Sequence, residues 1–359
     1  AELNLGVAAV KRFLAAYPSQ PRAVRAAFDI GAAYLILGKT DQALEAFDRF
    51  LKREDFTAET EEARKDLAEL SMAATHSRGQ LLQAQGKYNE AIAAWKGYLA
   101  TFPNGPQSAQ AQRAILDTQL LIAADHYERE RYAEARAAWT DFAAQNPLDP
   151  RVPEALFRIG ESHLKEKRFD QAVAAWATLS GKFPETEPTA HAQFLIGAHL
   201  ETEKGDLAGA IEQFKKIGVD PWRAEALQRI AVMESKTLTV VTPRAFRSGE
   251  TPHLKIASRN LEQLTFTAHK LNAEAYFRKK LQTGRVESLD IGLVAPDAEW
   301  TVDVPGFAKF KPVESNYELK NLELPGVYVV KVTAQKTLQA TSLVISSDID
   351  AIVKTSRDQ

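Results

Sequence analysis

The sequence predicts an α-helical solenoid followed by an antiparallel β-sandwich, and three observations predict it. A frame of small, large apolar, large apolar and proline residues recurs through the first two-thirds of the 359 residues. After Lys236 the apolar period changes from 3.6 to 2. Turn signals then punctuate the chain at Ser248-Gly249, Thr283-Gly284, Pro305-Gly306 and Pro325-Gly326.

The frame reads Ala91, Trp95, Tyr98, Pro103, then Ala135, Trp139, Phe142, Pro147, then Ala172, Trp176, Leu179, Pro184. Looser copies are Gly6, Val10, Phe13, Pro18; Ala43, Phe47, Phe50; and Ala210, Phe214, Ile217, Pro221. An amphipathic segment precedes each copy, with Gly31, Gly79 or Gly160 at its centre. Two helices per unit follow. A small residue lets their backbones approach, and the aromatic fills the groove. Anchor spacings of 37, 48, 44, 37 and 38 residues predict long loops between units, the acidic stretch Glu54 to Glu62 being one. Paired prolines, as in Asn146-Pro-Leu-Asp-Pro, are expected to stop one helix and open the next. Trp222 to Ser235 reads as a capping helix.

This pattern resembles the tetratricopeptide repeat, a helix–turn–helix unit of about 34 residues. The resemblance covers residues 1 to 235 as five pairs and a partial first unit. It implies a superhelix whose concave face binds protein partners. With the family's geometry that groove carries Arg25, Phe28, Leu35, His76, Gln80, Gln83, Asp117, Leu120, Tyr127, Glu154, Phe157, Glu161, Leu164, Leu195 and His199. The same surface packing only against the chain's next domain is the competing expectation. The set has no Lys/Arg ladder for a terminal carboxylate.

Residues 237–347 read as about seven strands, among them Leu238–Val241, His253–Ala257, Leu264–His269, Val327–Ala334 and Thr341–Ser346. Phe246-Arg-Ser-Gly-Glu-Thr-Pro with Ser258-Arg-Asn-Leu, the Leu271-Asn-Ala-Glu-Ala-Tyr insertion, Pro325-Gly-Val-Tyr and Ala340-Thr-Ser-Leu-Val-Ile resemble the macroglobulin-like (immunoglobulin-like) domain of bacterial α2-macroglobulin-like proteins. Residues 348–359 look like the first strand of a further domain, or a strand that pairs with another chain. That resemblance implies protease inhibition by trapping, with proteases or envelope proteins as partners. It also implies a periplasmic, cell-envelope or secreted bacterial location. A scaffold subunit of an envelope assembly, binding through the solenoid groove, is the alternative. The chain reads as an N-terminal piece of a longer protein, processed or trimmed ahead of Ala1.

Composition narrows the function classes. The net charge is −2, and the halves before and after 235 carry −5 and +3, without the basic excess of a nucleic-acid binder. No cysteine is present, which excludes disulfides, thiolate metal sites and the family's thioester from these residues. No apolar run reaches the ~20 residues that cross a bilayer. No catalytic motif stands out, so the expectation is a non-enzyme without cofactors or metals. His126 and His163, at equivalent repeat positions, read as core or groove histidines rather than a metal pair. Asp290, Asp297, Glu299 and Asp303 read as solvated acids between strands. Arg278-Lys279-Lys280 reads as the solvated tip of an insertion.

Overall fold

The computed structural model describes residues 2–272, 295–322, 325–335 and 337–348. Twelve helices come first among them: α1 (Glu2–Ala16), α2 (Ala23–Ile36), α3 (Thr40–Lys52), α4 (Glu61–Ala84), α5 (Tyr88–Thr101), α6 (Ser108–Glu128), α7 (Tyr132–Gln145), α8 (Val152–Lys165), α9 (Phe169–Lys182), α10 (Glu187–Thr202), α11 (Leu207–Phe214) and α12 (Trp222–Glu234). Seven strands follow: β1 (Thr237–Val241), β2 (His253–Arg259), β3 (Gln263–Leu271), β4 (Ala298–Asp303), β5 (Pro312–Glu318), β6 (Gly326–Ala334) and β7 (Leu338–Ser346). Contacts divide the chain into two compact units, Ala1–Ala192 and Gln193–Gln359. The parting lies inside α10, so the last helices group with the strands rather than ending a separate unit at 235.

In the first unit, α2–α3, α4–α5, α6–α7 and α8–α9 are the expected pairs. Every second helix from α3 onward sinks its frame into the core. Ala91, Trp95 and Tyr98 are wholly buried, as are Ala172, Trp176 and Leu179. The first helices leave room for these rings. A methyl group at Gly31 would come within 2.6 Å of Phe47, and one at Gly79 or Gly160 would strike the indole of Trp95 or Trp176. In the second unit, Gly197 stands in the same relation to Phe214. In α6 the buried Ala123 takes the place of glycine, and Trp139 packs in the same cluster.

The long spacings have a different cause from the one expected. The helices α4 and α6 contain 24 and 21 residues, against 14 in α2 and in α8. The extra residues are thus whole helical turns at the starts of α4 and α6, not longer loops. Propensity permits this, because Glu61-Glu-Ala-Arg-Lys-Asp-Leu-Ala-Glu-Leu has no helix breaker. The acidic stretch itself divides. Glu54 and Asp55 pair with Arg49, and Thr60 caps α4 by accepting from the Ala63 amide at 3.2 Å.

Proline pairs sit at the joints as expected, with Pro147 and Pro150 between α7 and α8 and Pro153 in the first turn of α8. Within each pair the turn residue is left-handed: Gly38, Gly86 and Gly205, but also Glu130 (φ 58°) and Lys167 (φ 60°). Only glycine takes this conformation without cost. Lys167→Gly is therefore expected to stabilise the chain by ~0.5–1 kcal/mol. A thermal melt of the variant checks this, and no rise in melting temperature would contradict it.

The strands form two antiparallel sheets, ordered β1-β2-β5 and β4-β3-β6-β7. Alternation places Leu254 and Ile256 of β2 in one core with Leu264, Phe266 and Ala268 of β3 and Val330 and Val332 of β6. The two sheets meet at Phe266, whose ring lies 5.2 Å from Trp300 and 5.6 Å from Tyr317. The strand β4 is not among those expected from the sequence. Glu299 and Asp303 lie on it, opposite Thr267 and Gln263, and the Asp297 carboxylate accepts from the Lys270 amide. Glu299 and Asp303 are thus acids on an exposed strand face, whereas Asp297 lies on the bend just before β4. Asp290, Arg278–Lys280, most of the insertion after Leu271 and residues 349–359 lie outside the described residues.

The last helix is tied to the β part within the second unit. Asn260 donates to the carbonyls of Met233 (2.8 Å) and Ser235 (2.9 Å), and its Oδ1 accepts from the Phe310 amide at 2.6 Å. Arg259 donates to the Val232 carbonyl. These bonds satisfy carbonyls that a helix end leaves open.

Candidate functional site

The small residue at each helix crossing gives a common origin for the first helices of the first unit: Gly31, Gly79, Ala123 and Gly160. Three residues before it stand Phe28, His76, Leu120 and Phe157. Four after it stand Leu35, Gln83, Tyr127 and Leu164. These expected groove residues mostly turn toward the second helix of their pair. Phe28 sits 5.5 Å from Phe47 and 5.8 Å from Phe50. His76 lies edge-on to Tyr98, and burial lowers its pKa. Tyr127 lies 5.6 Å from Trp139. Phe157 is only 2% exposed, with Trp176 on one side and His191 stacked at 4.5 Å. Phe157 is therefore core and cannot touch a partner, because Trp176 and His191 stack on its ring.

The residues that do face outward occupy the neighbouring row, six and two before the small residue and one and five after it. Arg25, Asp29 and Ile36 lie there on α2, Gln80 on α4, Asp117 and Leu121 on α6, and Glu154, Arg158 and Glu161 on α8. Ile36 is 78% exposed and Leu121 40%. The sequence reading found Arg25, Gln80, Asp117, Glu154 and Glu161 but missed Asp29, Ile36, Leu121 and Arg158. Counting each helix at 3.6 residues per turn from its buried glycine would have found them. Leu35 is exposed at 39% beside this row. Leu195 and His199 fall in the second unit, on α10.

Polar contacts stitch the row from repeat to repeat. Arg25 pairs with Asp66 at 3.5 Å, and Gln83 donates to Thr118 at 2.9 Å. Asp117 pairs with Arg151, which also holds Asp149 at 2.9 Å and keeps that carboxyl below its usual range. Arg158 binds both Glu154 and Glu161 at 2.7 Å. The Tyr127 hydroxyl pKa is pushed up to about 12, first by burial and then by the Glu161 carboxylate that accepts its proton bond. Part of the candidate surface is thus spent on intramolecular contact. What stays open is mixed in character, with Ile36 and Leu121 beside Asp29 and Gln80.

A separate cavity of about 680 Å³ opens between α1, α2 and α3, floored by Leu14, Ala27, Ile30 and Phe56 and rimmed by Lys11, Glu45 and Arg53. None of the expected groove residues lines it. His163 stands 3.9 Å from Glu166, and burial followed by Arg136 lowers its pKa. Among the described residues no group of three or more His, Cys, Asp or Glu side chains could hold a metal ion. Among them, too, no helix is long and apolar enough to cross a membrane.

The repeating helix pair, its glycine-on-aromatic crossing and its proline joints meet a direct match. The tetratricopeptide-repeat family profile fits residues 4–70, 120–185 and 158–218. The chain carries a tetratricopeptide-repeat region. The stretch that the matches skip, residues 71–119, holds the rest of α4, all of α5 and the start of α6 with its added turns. Solved structures similar to this chain include a crystal structure of MamA, at 20% identity and a TM-score of 0.27, covering 56% of this chain and 94% of that one. MamA from Desulfovibrio magneticus RS-1 (residues 41 to the end) shares 16% identity with a TM-score of 0.28 over 54% and 92% of the two chains. A Podosopora anserina putative kinesin light chain with TPR-like repeats shares 14% with a TM-score of 0.27 over 57% and 97%. A comparison with curated proteins gives no match.

Proposed function

We propose that this chain is a non-enzymatic scaffold that holds a polypeptide partner along the outward row of α2, α4, α6 and α8. Tetratricopeptide regions serve protein–protein interaction, and stacked repeats offer one continuous surface for it. The observation that carries the reading is the exposure of Ile36 and Leu121 in that row, among charged and amide side chains. Apolar side chains on a row that the stacked repeats share are surface that a partner can cover. Such residues act as anchors, and the polar neighbours set register and specificity. The expected result for Ile36→Glu combined with Leu121→Glu is about a tenfold or greater loss of affinity for the native partner. The melting temperature stays unchanged. Calorimetry with the purified partner reads both arms, and wild-type affinity in the double variant would remove this surface from the account.

A second reading is protease trapping, as the macroglobulin-like resemblance of residues 237–359 implies. Its support is that resemblance together with the two antiparallel sheets and shared core into which the described part falls. A trap shields a bound protease from large substrates while small ones are still cut. Equal cleavage of both by protease mixed with the full protein sinks this reading. The envelope or secreted location belongs to the same reading, and fractionation of the source cells tests it.

A further inference from the structure

The cavity of about 680 Å³ between α1, α2 and α3 lies in the size range of small-molecule sites. A bridge made at the next joint of the solenoid is missing here. There Arg78, one residue before Gly79 of α4, pairs with Asp48, five residues after Ala43 of α3. The same two places at the first joint hold Ile30, one before Gly31, and Lys11, five after Gly6. No ion pair can span that cleft. Ile30 instead turns inward, and Lys11 stands at the rim with its Nζ 5.6 Å from the centre of the Tyr34 ring.

One end of the cleft is walled. Arg53 ends α3 in the left-handed conformation (φ 56°), and the chain then returns to the end of α1, where the Thr57 amide donates to the Pro18 carbonyl at 2.9 Å. Between these points Arg49 holds Glu54 at 3.4 Å and also pairs with Asp55, while the Phe56 ring lies 5.3 Å from that of Phe50. Residues 53–57 are thus anchored at both ends, and the space is a pocket of set size rather than a groove along the repeats. Its chemistry is amphipathic. Leu14, Ala27, Ile30 and Phe56 at the floor are each at most 6% exposed. The three acids of the rim, Glu45, Glu54 and Asp55, all gather on Arg49. That leaves Lys11 and Arg53 as rim cations without an acid partner among the described residues.

The geometry points to a binding site for a small amphipathic anion, a medium-chain carboxylate whose apolar body lies on Leu14, Ile30 and Phe56 and whose head group meets the Lys11 and Arg53 rim. Each methylene buried on the floor adds affinity, whereas the exposed rim cations add little and mainly select the sign of the head group. The wall at residues 53–57 limits the occupant to a small molecule. The inference goes beyond the partner-binding reading and does not rest on it, because no residue of the outward row lines this cavity.

Isothermal titration calorimetry of the full chain with decanoate tests it. Binding should saturate at one molecule per chain, below the concentration at which decanoate forms micelles. Octanoate, shorter by two methylenes, should bind about tenfold more weakly. Decyltrimethylammonium, with the same length of chain and the opposite charge, should lose about tenfold or more against decanoate. Ala46→Phe fills part of the space for the body, and Lys11→Glu combined with Arg53→Gly removes the positive rim. Each should lower decanoate affinity about tenfold or more. Glycine suits the left-handed turn at position 53, so the charge variant should keep its melting temperature even if Ala46→Phe does not. Absence of saturable decanoate binding overturns the inference. So do equal affinities for decanoate and decyltrimethylammonium, or wild-type decanoate affinity in the charge variant.

Discussion

Trp176→Ala is expected to lower the unfolding free energy by about 3–5 kcal/mol, the range for truncating a large buried aromatic. The indole is wholly buried, lies 5.9 Å from the Phe157 ring at an interplanar angle of 15°, and donates from Nε1 to the Phe157 carbonyl at 3.0 Å. Truncation leaves a void between α8 and α9 that the backbones cannot close, because Gly160 already brings α8 as near as the ring allows. Gly160→Ala acts on the same joint from the other side. Its methyl meets the indole, and overpacking of this kind costs about 1–3 kcal/mol. Higher helix propensity returns at most about 1 kcal/mol. Combining Gly160→Ala with Trp176→Leu should be milder than the sum of the separate losses, since the smaller side chain makes room for the methyl. Urea unfolding followed by far-ultraviolet circular dichroism measures the three single variants and the combination. A loss below about 1 kcal/mol for Trp176→Ala would mean that the crossing is not held by this ring.

Asn260→Ala is expected to cost about 2–5 kcal/mol, from two sources. Asn260 has φ 55°, which asparagine tolerates and alanine does not, at about 1–2 kcal/mol. Its side chain also satisfies the Met233 and Ser235 carbonyls and the Phe310 amide, and leaving such groups unpaired costs about 1–3 kcal/mol. Asn260→Gly separates the two, because glycine accepts the backbone conformation and lacks the side chain. The glycine variant should recover about 1 kcal/mol relative to alanine. Hydrogen exchange should quicken at the end of α12 and at Phe310 in both variants. Equal stability of the alanine and glycine variants would remove the backbone part of the account, and unchanged exchange would remove the capping part.

The helical region is legible in the sequence because its determinants are local and repeated. The glycine opposite each aromatic, the proline joints and the apolar stripe recur at nearly constant spacing, so each copy supports the reading of the others. Where the repeat length changes, the reading goes astray. The spacings of 48 and 44 residues state that residues were added, but not that they continue a helix. The strands β4 and β5 were harder to see because both are edge strands with polar outward faces. In Pro312-Val-Glu-Ser-Asn-Tyr-Glu only Val313 and Tyr317 mark an inner face.

The candidate surface was legible to within one row. The family geometry picked helix positions near the crossing; of these Phe28, His76, Tyr127 and Phe157 lean into their pair, while Leu35 stays 39% exposed. Phe157 is the plainest case, since its position suits either role and only the stacking of Trp176 and His191 on it settles the matter.

By itself the sequence determined that helix pairs of one kind recur up to about residue 235 and that strands follow, because hydrophobic period and turn residues act within a few positions of each other. Only the tertiary structure decided which side of each first helix meets solvent, where the added turns went, and that Asn260 ties α12 to the strands. Those outcomes depend on side chains far apart in the chain competing for the same space and the same open carbonyls, and no local pattern carries that information.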